Sequence, residues 1–244
     1  MEKVVLVTGA SSGIGREIVK TLASSYEVII HYNNSYDGAL KLKEELDVLY
    51  DKDIMMIKCD LSNEDEIDGM LKSIYERYDN IDILINNAGI AIDTLLEDKT
   101  KDNFIKTLEI NTIAPFLLSK KIGIKMKENK YGNIVNISST NGIDTIYSES
   151  LDYDASKAAL ISVSNNVADY LAPYVRVNTV CPGWVNTRMN SELDKDFINE
   201  EEDKILLGRF AEPEEIANVV KFLISDEASY INKSVIRVDG GFKC

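Results

Sequence analysis

Val4-Val5-Leu6-Val7-Thr8-Gly9-Ala10-Ser11-Ser12-Gly13-Ile14-Gly15 is the stretch that decides how this chain folds. Four apolar residues run into a Gly/Ser turn, and a helical pattern follows over residues 14–24. That order of strand, turn and helix is the context a glycine-rich phosphate loop requires. Gly9 permits the tight turn, Gly13 lets backbone approach a pyrophosphate, and Gly15 allows the helix to pack closely. N–H groups at the helix N-terminus then attract the anion. The spacing is GxxxGxG, not the commoner GxGxxG, and a plain strand-to-helix turn is the alternative reading.

Outward from this turn, short β-rich runs alternate with longer helical patterns. Strands are expected at residues 27–32, 54–59, 81–85, 133–138, 176–181 and 234–238. Helical patterns fill residues 37–49, 63–78, 102–129, 155–171 and 213–225, with Asn or Asp cap candidates opening the second of these. Strands apolar on both faces and separated by helices indicate a parallel sheet covered on both sides. The expected fold is a single α/β domain, a Rossmann-type doubly wound parallel sheet of about seven strands with helices on both faces. Such sheets place ligands at the carboxyl ends of their strands.

The 244 residues contain no Pro-, Gly- or Ser-rich linker, which suits one domain, and 45% hydrophobic with 28% charged residues suits an ordinary globular protein. The net charge of −14 argues against nucleic acid or an anionic membrane surface as partner. No run reaches the roughly 18 apolar residues of a membrane span. Met1-Glu2-Lys3 leads into the first strand with no signal-peptide pattern. Cys59, Cys181 and Cys244 are odd in number and widely spaced, so neither a disulfide framework nor a metal site is expected. The expected compartment is the cytoplasm.

Tyr153-Asp154-Ala155-Ser156-Lys157 opens the helical run 155–171, whose apolar positions include Leu160, Val163, Val167 and Leu171. Residues i and i+4 share a helix face. An ammonium there favours the phenolate and lowers the phenol's pKa, which suits a general acid or base. By itself such a pair is an ordinary surface feature. At the end of the second strand, His31-Tyr32-Asn33-Asn34-Ser35 lacks the Asp or Glu that would hold the ribose 2′-OH of NAD and repel a 2′-phosphate. Asn33, Asn34 and Ser35 are candidate donors there, and NADP(H) is favoured over NAD(H). His31 is the only histidine and reads as a wall of the cofactor pocket. Glu200-Glu201-Glu202-Asp203 reads as a solvated helix face, and Trp184 either lines a substrate site or packs.

Together these pieces resemble the short-chain dehydrogenase/reductase family. Thr8–Gly15 matches its TGxxxGxG, Asn86-Asn87-Ala88-Gly89 its NNAG, Asn136-Ile137-Ser138-Ser139 its fifth-strand segment, and Tyr153 to Lys157 its YxxxK. Pro182-Gly183 with Thr187 and the ending Asp239-Gly240-Gly241 complete a series running from residue 8 to residue 241. The resemblance implies hydride transfer between a nicotinamide and a carbonyl or hydroxyl carbon. It assigns the catalytic places to Asn111, Ser139, Tyr153 and Lys157, with Ser138 as the rival of Ser139. Tyr153 moves the proton, Lys157 lowers its pKa and holds the nicotinamide ribose, and Ser139 bonds the substrate oxygen. Asn111 supports a proton path through its main chain and a water; the alternative is a buried polar side chain kinking its helix. The cofactor would be held by Gly9, Ser11, Ser12, Gly13, Ile14, Gly15, Asn33, Asn34 and Ser35. Asp60 near the adenine, Leu61, Asn87, Ala88, Gly89, Tyr153, Lys157, Pro182, Gly183, Val185 and Thr187 complete that set. No metal is implied.

Within the family, the stretches 89–96, 208–217 and 235–242 look most like bacterial 3-oxoacyl-(acyl-carrier-protein) reductases, enzymes of fatty acid biosynthesis. Carrier proteins are acidic and dock on basic patches. One docking Arg corresponds to Pro173 here, while Lys130 could serve for another. A reductase of carrier-bound 3-oxoacyl groups is therefore expected first, then an oxidoreductase of a free small ketone, sugar or polyol, then a non-catalytic NADP-binding sensor or scaffold. Relatives imply a homotetramer and a substrate lid at about 186–208. The loop 140–152 is about one residue longer than in many relatives, so a reshaped loop is expected.

Overall fold

Val4–Val7 (β1) is an interior strand with two parallel neighbours: Val5 pairs with Val28 on one side and with Ile83 on the other. The structure, a computed structural model, describes residues 2–187, 190 and 193–243. Cys244 and residues 188, 189, 191 and 192 of the expected lid lie outside the described residues.

In chain order, β1 is followed by α1 (Gly13–Leu22), β2 (Glu27–Tyr32), α2 (Tyr36–Tyr50), β3 (Met55–Lys58), α3 (Glu64–Arg77) and β4 (Ile83–Asn86). Then come α4 (Lys101–Leu108), a π-helical turn (Glu109–Ile113), α5 (Ala114–Glu128), β5 (Gly132–Ile137) and α6 (Leu151–Leu171). The last part holds β6 (Val175–Pro182), α7 (Lys195–Lys204), α8 (Pro213–Ile224) and β7 (Val235–Val238). The sheet is parallel and seven-stranded, ordered β3-β2-β1-β4-β5-β6-β7. The expected doubly wound fold is the one observed.

Alternate residues of each strand enter opposite layers, because successive side chains in a strand point to opposite faces. Val5, Val7, Val28 and Ile30 pack with Ile18, Leu22, Val220 and Leu223 of α1 and α8. Leu6, Ile29 and Leu84 pack with Ile67, Ile74, Leu118 and Ile122 of α3 and α5. Helix α3 starts where a cap is expected: Asn63 Oδ1 accepts from the N–H groups of Asp65 (3.0 Å) and Glu66 (3.4 Å). Chain order reverses between β1 and β4, so a crevice opens beyond their carboxyl ends.

Two expectations change. Helix α6 begins at Leu151, not at Ala155, so Tyr153 stands in its first turn rather than ahead of it. The acidic run 200–203 is not a uniformly solvated face: Glu201 is 2% exposed. Hydrogen-bonding partners from two other segments draw its carboxylate inward.

Candidate active site

The crevice between β1 and β4 is built by mutual anchoring of two loops. Thr8 Oγ1 accepts from the N–H groups of Asn87 (2.9 Å) and Ala88 (3.0 Å), and Asn87 Nδ2 donates to the carbonyls of Thr8 (2.9 Å) and Gly9 (3.2 Å). This leaves no room for side chains at two glycines. A Cβ at Gly9 would stand 2.8 Å from Ala88 Cα, and one at Gly15 2.4 Å from Asn87 Nδ2. Gly9 also has φ +64°, a conformation that disfavours residues bearing Cβ. The N-cap of α1, Ser12, makes no side-chain cap bond, so helix N–H groups face the crevice unclaimed. An anion is the natural occupant.

His31 fixes this loop from behind. Gly9 N–H donates to its Nδ1 (3.0 Å), which leaves the proton on Nε2, directed at the Cys59 carbonyl (3.0 Å). The ring thereby ties β1, β2 and the end of β3, and burial lowers its pKa to about 4. Since this lies below the unfolded value near 6.5, the stabilisation is complete above about pH 6.5 and drains away as pH falls toward 4. At 1.36 kcal/mol per pKa unit the loss reaches about 2–3 kcal/mol. Denaturant unfolding at about pH 7 and about pH 4.5 should show the wild type losing that much more stability than His31→Gln. Equal losses would remove His31 from the account.

A cavity of about 410 Å³ follows the crevice. Its lining includes Gly9, Ser11, Ser12, Gly13, Ile14, Asn33, Asn34, Ser35, Leu61, Asn87, Ala88, Gly89, Pro182, Gly183, Val185 and Thr187, with Ser139, Tyr153 and Lys157 at its inner end. Of the expected cofactor set, Gly15 and Asp60 do not line it. Gly15 works by letting α1 approach Asn87. Asp60 Oδ1 closes a local turn, accepting from Ser62 N–H (3.0 Å) and Ser62 Oγ (2.8 Å). These bonds, helped by Asn33, which lines the cavity, hold its carboxyl below the ordinary value. Arg16 is near but committed, donating to Glu45 Oε2 (2.7 Å) and the Gly38 carbonyl (3.3 Å). These residues suit an elongated dinucleotide whose phosphates meet the glycine loop.

At the inner end, burial pushes the Tyr153 phenol up to about 12, with Ser139 beside it opposing the rise. The Ser139 hydroxyl donates to Asn141 Oδ1 (2.9 Å) and accepts from Asn141 N–H (3.2 Å). Burial also lowers Lys157 to about 8. Lys157 Nζ donates to the Ile137 carbonyl (2.9 Å) and stands 5.4 Å from the Tyr153 ring centre. The expected lowering of Tyr153 by Lys157 is thus not what this geometry produces: desolvation outweighs an ammonium that is turned to the strand. Ser138, the rival serine, has its hydroxyl committed to the Lys157 carbonyl (2.9 Å).

Asn111 lies in the π-helical turn. Its Nδ2 donates to the Ile90 carbonyl (2.8 Å) and Ser156 Oγ (3.0 Å), and its Oδ1 accepts from Ile90 N–H (2.9 Å). The side chain is fully used in pinning residue 90 to α6, leaving the main chain for any further role. Asn111 and Lys157 meet at Gly89, where a Cβ would lie 3.2 Å from Asn111 Oδ1 and 3.4 Å from Lys157 Nζ.

A second cavity, of about 510 Å³, joins the first at Ser139, Tyr153 and Gly183. Asp93, Asn141, Tyr147, Glu149, Trp184, Asp194, Phe197 and Phe242 are among its walls. It gives Tyr153 a substrate chamber on the side away from the glycine loop. Sequence reading missed Tyr147, Phe197 and the buried pair Lys99–Asp152 (2.8 Å) that holds the wall behind residues 90–93. No residue pattern marked them, because each acts through a partner far along the chain. Among the described residues no helix is long and apolar enough to cross a membrane, and no group of His, Cys, Asp or Glu could hold a metal.

Comparison with known proteins agrees with this geometry. A family model described as enoyl-(acyl carrier protein) reductase matches residues 9–243. The chain is 39% identical over 240 residues to a 3-oxoacyl-[acyl-carrier-protein] reductase, FabG, of Aquifex aeolicus, covering 98% of this chain and 96% of that one. It is 35% identical over 246 residues to an uncharacterized oxidoreductase, YmfI, of Bacillus subtilis, covering both chains completely. Among solved structures, acetoin dehydrogenase YohF from Salmonella typhimurium superimposes with a TM-score of 0.88 at 28% identity, over 99% of this chain and 96% of that one.

Proposed function

Since the chain belongs to the short-chain dehydrogenase/reductase family, we propose that it is a reductase of 3-oxoacyl groups carried on an acyl carrier protein, forming the 3-hydroxyacyl product with NADPH. It is an oxidoreductase acting on CH–OH/C=O groups with a nicotinamide cofactor. The observation that carries the reading is that Tyr153 and Ser139 line both cavities, so that a carbonyl entering from one side would meet a nicotinamide held on the other.

The cofactor supplies the hydride when bound. Ser11, Ser12 and the α1 N-terminus hold its phosphates, and Asn33, Asn34 and Ser35, with no carboxylate lining that end, accept a 2′-phosphate. Tyr153 hands its hydroxyl proton to the substrate oxygen, while Ser139 donates a hydrogen bond to the same oxygen as charge grows there. A phenol held near 12 keeps its proton at neutral pH, which supports the reductive direction. With the cofactor bound, Lys157 would hold the nicotinamide ribose and re-protonate Tyr153. The main chain at Asn111 carries that proton relay toward solvent.

A second reading, reduction of a free small ketone, is favoured by charge. Asp93, Glu149 and Asp194 line the chamber, and the net charge of −14 offers an acidic carrier protein little attraction. Initial rates with acetoacetyl-carrier protein, acetoacetyl-CoA and acetoin, each with NADPH and NADH, separate the two. NADPH with the carrier-bound substrate should give the highest kcat/KM. A carrier form no better than its coenzyme A analogue, with acetoin faster than both, would transfer the assignment to the second reading.

A substrate lid at about 186–208, with α7 as its described helix, belongs to this reading. The protein acts as a cytoplasmic homotetramer, a reading supported by Phe116, Ile124 and Tyr170, which are 39%, 38% and 66% exposed along one face of α5 and α6. Light scattering near 27.3 kDa would rule the tetramer out.

A further inference from the structure

Glu201 is the buried group that the proton chemistry leaves unused. Seven of the ten residues of helix α7 are charged, yet this carboxylate is withdrawn from water. Its Oε2 accepts from Tyr147 Oη (2.6 Å) and from Trp184 Nε1 (3.0 Å), and its Oε1 accepts from Lys204 Nζ (2.6 Å). The two donors arrive from different places, Tyr147 from the loop after β5 and Trp184 from the turn after β6. Both line the chamber that opens on Tyr153.

The indole of Trp184 is held on three further sides. It stacks on Phe210 with ring centres 5.3 Å apart and planes 12° apart, and it meets the rings of Phe197 and Tyr147 edge-on, each at 5.7 Å. Phe197 belongs to α7 as well, so the helix that brings the carboxylate also brings one wall of the box. Burying a carboxylate is costly unless hydrogen bonds compensate it. Here two of the three compensating donors, Tyr147 and Trp184, are themselves walls of the chamber.

We propose that Glu201 is a positioning residue for substrate recognition: with one oxygen it docks α7 onto Tyr147 and Trp184, and so holds the indole as the wall against which the apolar part of a carbonyl substrate lies. The proposal rests on the reading of that chamber as the substrate site. It implies that an uncharged, unbranched chain beside the carbonyl packs on Trp184, and that losing the latch weakens substrate binding more than chemistry.

Trp184 is the only tryptophan of the chain, so intrinsic fluorescence reports its environment without turnover. In Glu201→Ala, emission should move to longer wavelength and acrylamide should quench it more strongly. The KM for acetoacetyl-CoA should rise roughly tenfold, the effect of one lost buried hydrogen-bond set, with kcat and the KM for NADPH within about twofold of wild type. Glu201→Gln keeps an oxygen for both donors and should restore the emission and most of the KM. Tyr147→Phe removes one donor, leaves the indole bonded, and should fall between them; it carries the comparison if the alanine variant does not fold.

A thermal destabilisation of Glu201→Ala with emission and substrate KM unchanged would reduce the group to a fold support and overturn the proposal. So would a glutamine variant no better than alanine. Should the wild type reduce no carbonyl at all, the functional reading fails by itself, while emission and quenching still decide whether Glu201 holds Trp184.

Discussion

Tyr153→Phe should reduce turnover of a 3-oxoacyl thioester by about 10²–10⁴-fold, the range of a lost general acid. The substitution removes one oxygen and keeps the half-buried ring in place, so NADPH binding, followed by fluorescence titration, should stay within about twofold of wild type on the same argument. Tyr153 stands beside Ser139 where the two cavities join. With the phenol up at about 12, wild-type reduction should not depend on losing that proton at any working pH. A phenylalanine variant that keeps most of its rate would mean that another group donates the proton. Ser139→Ala then serves as the companion measurement, because its hydroxyl only stabilises charge and its loss should cost less.

The largest effect on stability is expected at Lys99. Its side chain is 5% exposed and its ammonium meets Asp152, 0% exposed, at 2.8 Å. The same Nζ donates to the carbonyls of Ile92 and Glu149 (2.9 Å), and Asp152 Oδ2 accepts from Thr107 Oγ1 (2.6 Å). Burial alone would raise the Asp152 pKa, but hydrogen bonds from Lys99 and Thr107 outweigh it and hold the carboxyl below its ordinary value. The pair's contribution is therefore present at neutral pH and is lost as pH falls through the carboxylate range.

Lys99→Met keeps the stem and strands the carboxylate, at a cost of about 3–5 kcal/mol. For a domain of this size that corresponds to a fall in Tm of roughly 6–20 °C by calorimetry. Adding Asp152→Asn should recover part of the loss, since the amide still accepts from Thr107 and no buried charge is left alone. A single variant as stable as wild type would mean that the pair is solvated and contributes nothing. Because Lys99 ties residue 92 to residue 149, the single variant should also loosen the chamber wall around Asp93 and Ser150.

The family assignment places the chemistry in a strip of sequence signals, and the fold explains why those signals were legible. Gly9, Gly13 and Gly15 answer to local backbone demands, Asn87 to the neighbouring turn, and Tyr153 and Lys157 to a single turn of helix. Each requirement acts over a few residues or between adjacent strand ends, so each leaves a short pattern. Asp60 matched such a pattern, yet it does not line the cavity, and one of its oxygens closes a local turn with Ser62. The phenol of Tyr153 matched as well, but its titration depends on burial, which a four-residue spacing does not record.

Alternating strands and helices, apolar strand runs and the first glycine turn were enough to determine the doubly wound sheet and the end of it that binds a ligand. Those are properties of periodicity and backbone freedom, and they are written locally. The tertiary structure alone decided which acid of the run 200–203 turns inward, that Lys99 neutralises Asp152, and that Ser138 faces Lys157 while Ser139 faces Tyr153. It also decided that Tyr147, Trp184 and Phe197 converge on one chamber. The partners in these contacts lie tens of residues apart, and a charged residue with no apolar period around it looks solvated until its donors arrive from elsewhere in the fold.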